Sequence, residues 1–193
     1  MMVVIKRATA DDVETVLSLH AEASAWLAAK GTDQWQPDAV GRKTRDKVKN
    51  SIAKNVASGT CWLACEGSTV VGTISVDSFA DPEFWKDEDN PGDAVYVHRM
   101  IVRRDHAGRG IGKVLLRLAE EVARNSGRHW VRLDAWSTNE GLHGYYRSIG
   151  FQNVRTLRFN HRGSGALFQK PVEERVEPPE FMWRTGEPVS RSL

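Results

Sequence analysis

The residues whose types and spacing could do chemistry fall into three groups. The densest is Gly108-Arg109-Gly110-Ile111-Gly112, which lies between an apolar run, Val95 to Val102, and a stretch carrying Ile111, Val114, Leu115, Leu118 and Val122 at helical spacing. A strand, a glycine turn and a helix start in that order point consecutive backbone N–H groups one way. With the helix N-terminus they form an anion site suited to a pyrophosphate. A Walker loop does not fit: aligning its Gly-Lys on Gly112-Lys113 puts Ala107 at the first glycine and Val114 where a Ser or Thr would hold magnesium. The dinucleotide fingerprint fails as well, because Lys113 stands where its third glycine belongs. An ordinary glycine-rich strand-to-helix turn is the plain alternative.

The second group runs from Asn139 to Phe151 and contains Asn139, Tyr146 and Gly150-Phe151. Asn139 is placed to cap a helix, and its short polar side chain can also bind a ligand amide. Tyr146 follows two turns later on the same side. Gly141 and Gly144 weaken a helix, which implies a need for close backbone approach. A core aromatic whose hydroxyl finds a partner is the alternative for Tyr146. The third group is His98, within the apolar run and on the same strand face as Tyr96 and Met100. Its imidazole titrates near neutrality and could take a proton from an ammonium; it could equally be a satisfied strand histidine. Glu22 and Asp134 are further candidates for that work.

The elements that must position these groups are legible from punctuation and period. Val3 to Arg7 reads as a strand, and Thr9-Ala10-Asp11-Asp12 as a cap opening a helix that carries Val13, Val16, Leu17, His20, Ser24 and Leu27 on one face and stops near Gly31. His20 reads as a packed helix residue and Trp35 as an exposed residue in a turn. A second helix is expected over Arg42 to Ala57, then a hairpin from Thr60–Glu66 and Val70–Ser78. The acidic, aromatic stretch Phe79 to Asp93 is either a substrate-facing loop, with Phe84 and Trp85 over a pocket, or a surface loop pinned by those aromatics. Trp130 to Trp136 alternates as a strand, Asn139 to Ile149 is a short helix capped at Gly150, and Val154–Phe159 and Ala166–Gln169 close the series. The order describes a mixed α/β domain over residues 1–170. A Glu-, Pro- and Arg-rich tail follows over 171–193, which Phe181, Met182 and Trp183 could anchor to the body or to a partner subunit in a homodimer.

Composition sets the outer bounds. The chain has 193 residues, 40% hydrophobic and 27% charged, with a net charge of +2. That is enough chain for a sizeable core, and too little charge to argue for nucleic acid. Arg103, Arg104, His106 and Arg109 form a short basic stripe, without a basic helix or stacking platform beside it. Cys61 and Cys65 lie in one strand-like run, roughly 13 Å apart at about 3.3 Å per residue, beyond disulfide reach. No signal peptide and no apolar run of membrane-spanning length are evident, and a cytoplasmic protein without membrane or nucleic-acid partners is expected.

Together the two glycine-bearing groups resemble the signatures of the GNAT superfamily of acyl-CoA N-acyltransferases. Met100-Ile101-Val102 matches the hydrophobic strand end and Gly110 and Gly112 the glycines of the acyl-CoA motif, while Ala107 replaces the usual Gln or Arg. Asn139, Tyr146 and Gly150-Phe151 match the second motif. The resemblance implies a GNAT-like mixed central sheet, flanked by helices, whose parallel strands Val95–Arg103 and Trp130–Trp136 splay apart to admit CoA. It implies direct acetyl transfer from acetyl-CoA, as co-substrate and without a metal, to a primary amine. Met100, Ile101, Val102, Ala107, Gly108, Arg109, Gly110, Ile111, Gly112, Lys113 and Asn139 would hold the cofactor, a backbone N–H near Ile101 or Val102 would polarise the thioester, and Tyr146 would protonate the thiolate. His98 is the candidate base. A non-catalytic acyl-CoA-binding sensor or subunit of the same fold is the alternative. Trp26, Trp35, Trp62 and Trp85 could wall a site for a cationic amine or simply fill core and loop gaps.

Overall fold

A computed structural model of the chain describes residues 3–36, 43–173 and 182–183. Its strands are β1 (Val4–Arg7), β2 (Cys61–Glu66), β3 (Thr69–Asp77), β4 (Ala94–Val102), β5 (Trp130–Trp136), β6 (Gln152–Thr156), β7 (Ser164–Pro171) and β8 (Met182–Trp183). Its helices are α1 (Val13–Ala29), α2 (Arg45–Ala57), α3 (Ile111–Asn125) and α4 (Glu140–Ser148). The strands form one sheet in the order β6-β7-β5-β4-β3-β2-β1-β8. Neighbours run antiparallel except β4 with β5 and β1 with β8.

Alternation along the central strands sorts side chains onto two faces. On one face Val95, Val97, Val131, Leu133 and Ala135 meet Leu115, Leu118, Ala119 and Val122 of α3, joined by Tyr146 of α4. Leu115 and Leu118 are completely buried, so truncating either to Ala would cost about 2–5 kcal/mol. On the other face α1 and α2 cover one half of the sheet, packing Val16, Leu17, Val48, Ile52 and Val56 onto Cys61, Leu63 and Cys65. Neither cysteine is in a disulfide. The second half of that face is covered by the acidic 79–93 segment, whose Phe84 and Trp85 lie buried with Tyr96 and Leu167. Of the two readings of this segment, the pinned loop is the one observed. Arg155 pairs with Asp89, Arg132 donates to the Asp89 carbonyl at 2.7 Å, and Arg162 reaches Asp81 at 2.7 Å.

β4 departs from a regular strand in two places. Its pairing with β5 runs only from Ala94↔Trp130 to Val97↔Leu133, although β4 continues to Val102 and β5 to Trp136. Beyond Val97 the parallel strands part, which is the splay expected from the motifs. On its β3 edge, Ser75 faces His98 and Thr73 faces Ile101, so β4 carries one extra residue, and Arg99 adopts the left-handed φ of 47°. That is a β-bulge.

Boundaries shift modestly from expectation. Thr44 caps α2, its hydroxyl accepting from the Lys47 N–H at 3.3 Å, so the helix begins at Arg45; Arg42 lies outside the described residues. β6 starts earlier than Val154, because the Phe151 N–H closes the α4 turn on the Tyr146 carbonyl at 3.0 Å and the chain is extended at once. Trp35 is partly covered, stacked on His20 with centroids 4.6 Å apart. The backbone of Met182–Trp183 pairs with Val4 and Ile5, tying this part of the tail to the body; Phe181 lies outside the described residues. No helix among the described residues is long and apolar enough to cross a membrane, and none of their His, Cys, Asp and Glu side chains cluster in threes that could hold a metal.

Candidate functional site

One side of the splay is built by the glycine turn. Gly108 and Gly110 take φ of 78° and 81°, a region where a side chain is strained. Gly110 is the N-cap of α3, and the first helical bond is the Val114 N–H donating to its carbonyl at 3.1 Å. The N–H groups of Ile111, Gly112 and Lys113 come before that bond and have no intrahelical acceptor. Such N–H groups are the kind an anion at the start of a helix would use. Ala107 is exposed and extended, and Lys113 is exposed. Arg109 is drawn aside: its guanidinium lies 3.2 Å from Glu66, which also meets His106 at 3.5 Å. A side chain at Gly112 would strike the Tyr145 hydroxyl, so this glycine is demanded by α4 lying against the start of α3.

Tyr146 sits beneath that contact, with ring centroids 5.5 Å from Tyr145, 5.6 Å from Phe151 and 5.7 Å from Phe168. Burial first, then Tyr145 and the Asp134 charge, push its hydroxyl far above the ordinary tyrosine range. Near neutral pH it is therefore a phenol holding its proton. No hydrogen bond within the described residues engages that hydroxyl. Asn139 is more committed: its Oδ1 accepts from the Leu142 N–H at 3.0 Å and its Nδ2 donates to Gln34 Oε1 at 2.7 Å. Both ends of its carboxamide serve to cap α4 and fasten the 32–36 segment. Met100 and Val102 pack at the margin of the α3 core and Ile101 between them is buried, all past the last residue paired with β5.

The opposite face of the splay carries charge. His98 and Asp134 are the first residues of β4 and β5 beyond the Val97↔Leu133 pair. His98 Nε2 lies 3.1 Å from Asp77 Oδ1. Burial would lower the imidazole pKa, but the Asp77 hydrogen bond and charge, with help from Asp134, outweigh it and hold the pKa above its ordinary value. The bulge turns the next side chain, Arg99, beneath α2, where Nη2 donates to Ser51 Oγ at 3.1 Å. His20 faces the same guanidinium; burial and the Arg99 charge drive its pKa down to about 4, so it is neutral across the physiological range.

The structure thus brings the glycine turn, Tyr146, His98 and the open end of β4 to one splay, and adds Asp134. Glu22 is elsewhere, accepting from the Arg104 N–H at 2.8 Å. The four tryptophans are taken up by the chain itself: Trp26 lies under Arg104, Trp62 under Arg7, Trp85 under Arg132, and Trp35 against His20. Asp77 and Arg99 were not singled out from the sequence. Asp77 lies in the strand expected over Val70–Ser78, but the pairing of that strand with β4 comes only from the structure. Arg99 was not legible, because a bulge leaves no mark in the hydrophobic pattern.

A model of the acetyltransferase (GNAT) family matches residues 20–151. The chain is 28% identical over 145 residues to the uncharacterized N-acetyltransferase YesJ of Bacillus subtilis, covering 74% of this chain and 77% of that protein. It is 29% identical over 136 residues to the N-alpha-acetyltransferase RimI of Mycobacterium tuberculosis, covering 70% and 73%. Against N-acetyltransferase 8 of Mus musculus identity is 32% over 129 residues, 67% of this chain, but the match spans about half, 53%, of the mouse protein. Among solved structures, a GNAT-family acetyltransferase from Listeria monocytogenes superposes with a TM-score of 0.69 at 24% identity, covering 88% of this chain and 94% of that one. The PaiA N-acetyltransferase of Thermoplasma acidophilum, solved in complex with coenzyme A, gives 0.63 at 21%, covering 89% and 99%. The family match takes in both motifs and the splayed strands, and the chain belongs to the GNAT acetyltransferase family as an acetyl-CoA-dependent N-acetyltransferase.

Proposed function

We propose that acetyl-CoA enters the splay between β4 and β5 and that its acetyl group passes directly to a primary amine arriving from the face that carries His98. The observation that carries this reading is the end of β4–β5 pairing at Val97↔Leu133. It leaves a gap with an anion cradle on one side and titratable groups on the other. The turn from Ala107 to Lys113 holds the pyrophosphate through backbone N–H groups; Ala107 adds no side-chain donor, and Arg109 stays with Glu66. The open end of β4, Met100 to Val102, offers backbone N–H groups to the thioester carbonyl as it becomes tetrahedral. Asn139 acts by fixing the start of α4, and so the position of Tyr146.

Proton traffic follows from the electrostatics. His98, backed by Asp77, takes the proton that the ammonium must lose before it attacks. Attack forms the C–N bond, and collapse breaks the C–S bond. Tyr146, a protonated phenol whose pKa burial raises further, donates to the departing sulfur. Isothermal titration with acetyl-CoA, and with ATP as control, paired with turnover on an amine panel, tests this assignment in Tyr146→Phe. Expected are unchanged acetyl-CoA affinity and a loss of about 10²–10⁴ in kcat. Full turnover in Tyr146→Phe would assign the proton to another group.

A further inference from the structure

Charged groups line the acceptor side of the splay, and two of them, Asp134 and Arg99, have no ion-pair partner within the described residues. Asp134 has no hydrogen bond or ion pair within the described residues, although it is half-buried and within electrostatic reach of His98, Arg162 and Lys43. Arg99 is half-buried too, and its one hydrogen bond within the described residues, to Ser51 Oγ at 3.1 Å, is to a neutral hydroxyl. A guanidinium withdrawn from water is ordinarily matched by a carboxylate, because its desolvation is otherwise uncompensated. Arg162 shows the ordinary case: it pairs with Asp81 at 2.7 Å and lies over Phe84 at 4.1 Å. Arg99 has no such partner within the described residues, and none of its nitrogens is among the fully buried, unsatisfied ones. Its remaining donors therefore open onto accessible space.

The bulge makes this arrangement specific. Without the extra residue, His98 and Arg99 would point to opposite faces of the sheet. With Arg99 at φ 47°, both reach the same face, close enough for the guanidinium to act on the imidazole. An anion-binding fork thus stands beside the proton acceptor, and an unpaired carboxylate stands across the gap.

We infer that the acceptor is a primary amine bearing a carboxylate close to its nitrogen, that is a free α-amino acid, with Asp134 and His98 meeting the ammonium end and Arg99 binding the carboxylate. This rests on the acetyl-transfer reading above. His98 takes one ammonium proton, the freed amine forms the new C–N bond as the C–S bond breaks, and the Tyr146 proton goes to sulfur. The products are an N-acetyl amino acid and CoA. A polyamine or other dication fits poorly, since Arg99, Lys43 and Arg162 would repel its second charge and the tryptophans that could cage it already hold the chain's own cations. A peptide N-terminus would set a neutral amide against Arg99.

The test gives the protein acetyl-CoA with a mixture of the common L-amino acids or with the matching mixture of their α-amides, and reads N-acetylated products by mass spectrometry. Free acids are expected to dominate. In Arg99→Gln the KM for the best acid should rise about 10- to 100-fold, the loss of a charge-assisted pair. Arg99→Lys should recover part of it, and retained acetyl-CoA binding by titration shows that both variants fold. Asp134→Asn should raise KM for acids and amides alike. Amides acetylated as well as acids, or an acid preference that survives in Arg99→Gln, would overturn the inference and leave acetyl transfer standing. Acetylation of neither mixture also overturns it, and acetyl-CoA titration then separately decides whether the transfer reading survives.

Discussion

At the scale of single residues, the proposed acetyl transfer depends on two protonation states, those of Tyr146 and His98. Tyr146 is a neutral phenol near pH 7 like any tyrosine, and burial among aromatics pushes its pKa higher still. His98 is the reverse case: burial alone would depress its pKa, and the Asp77 carboxylate 3.1 Å away more than compensates. A base must be neutral to accept a proton, so kcat/KM should rise with pH through the His98 pKa, above the ordinary imidazole value. Replacing Asp77 by Asn removes the raising influence and leaves the burial. The acid limb of the kcat/KM profile in Asp77→Asn should therefore move to lower pH. A limb that stays in place, or moves up, would show that His98 is not the group being titrated. Tyr146 was legible because its spacing from Asn139 and Gly150-Phe151 is fixed by one short helix. Asp77 was harder to single out, because its partner lies 21 residues away across a hairpin whose register depends on the bulge.

At the scale of elements, the strand, glycine turn and helix from Ala94 to Asn125 were readable because each is encoded locally, in an apolar run, positive-φ glycines and a helical apolar stripe. The 79–93 segment was ambiguous for a physical reason: aromatics serve equally to line a pocket or to plug a sheet face. Phe84 and Trp85 do the second, 1% and 4% exposed. Gly112 carries information that the motif alone misses. The motif makes it a residue that frees the backbone for phosphate, but it also admits the Tyr145 hydroxyl. Gly112→Ala should displace Tyr145, destabilise the fold by about 1–3 kcal/mol, and lower kcat through the disturbed neighbour Tyr146, as read by thermal unfolding and steady-state rates. A variant with wild-type stability and kcat would mean that the α3–α4 contact yields at no cost.

At the scale of the whole molecule, one sheet keeps its splayed strands far from its other edge. The splay lies between β4 and β5, and β3 and β2 separate it from the pairing of β1 with β8. In the proposed reaction the two helical layers separate two tasks: α3 and α4 bring the glycine turn and the phenol to one face, while α1 and α2 leave His98, Arg99 and Asp134 facing the other. The parallel pairing of β4 with β5 was anticipated through family resemblance; the point where pairing stops could come only from coordinates, since Val95 to Val102 reads as one unbroken strand. The most direct test of a cofactor seated in that gap needs no acceptor. Amide hydrogen exchange with and without acetyl-CoA should show protection concentrated over residues 98–113 and 139–146, with β1, β2 and α2 unchanged. Protection centred elsewhere, or none at saturating acetyl-CoA, would contradict the placement of the thioester between the splayed strands.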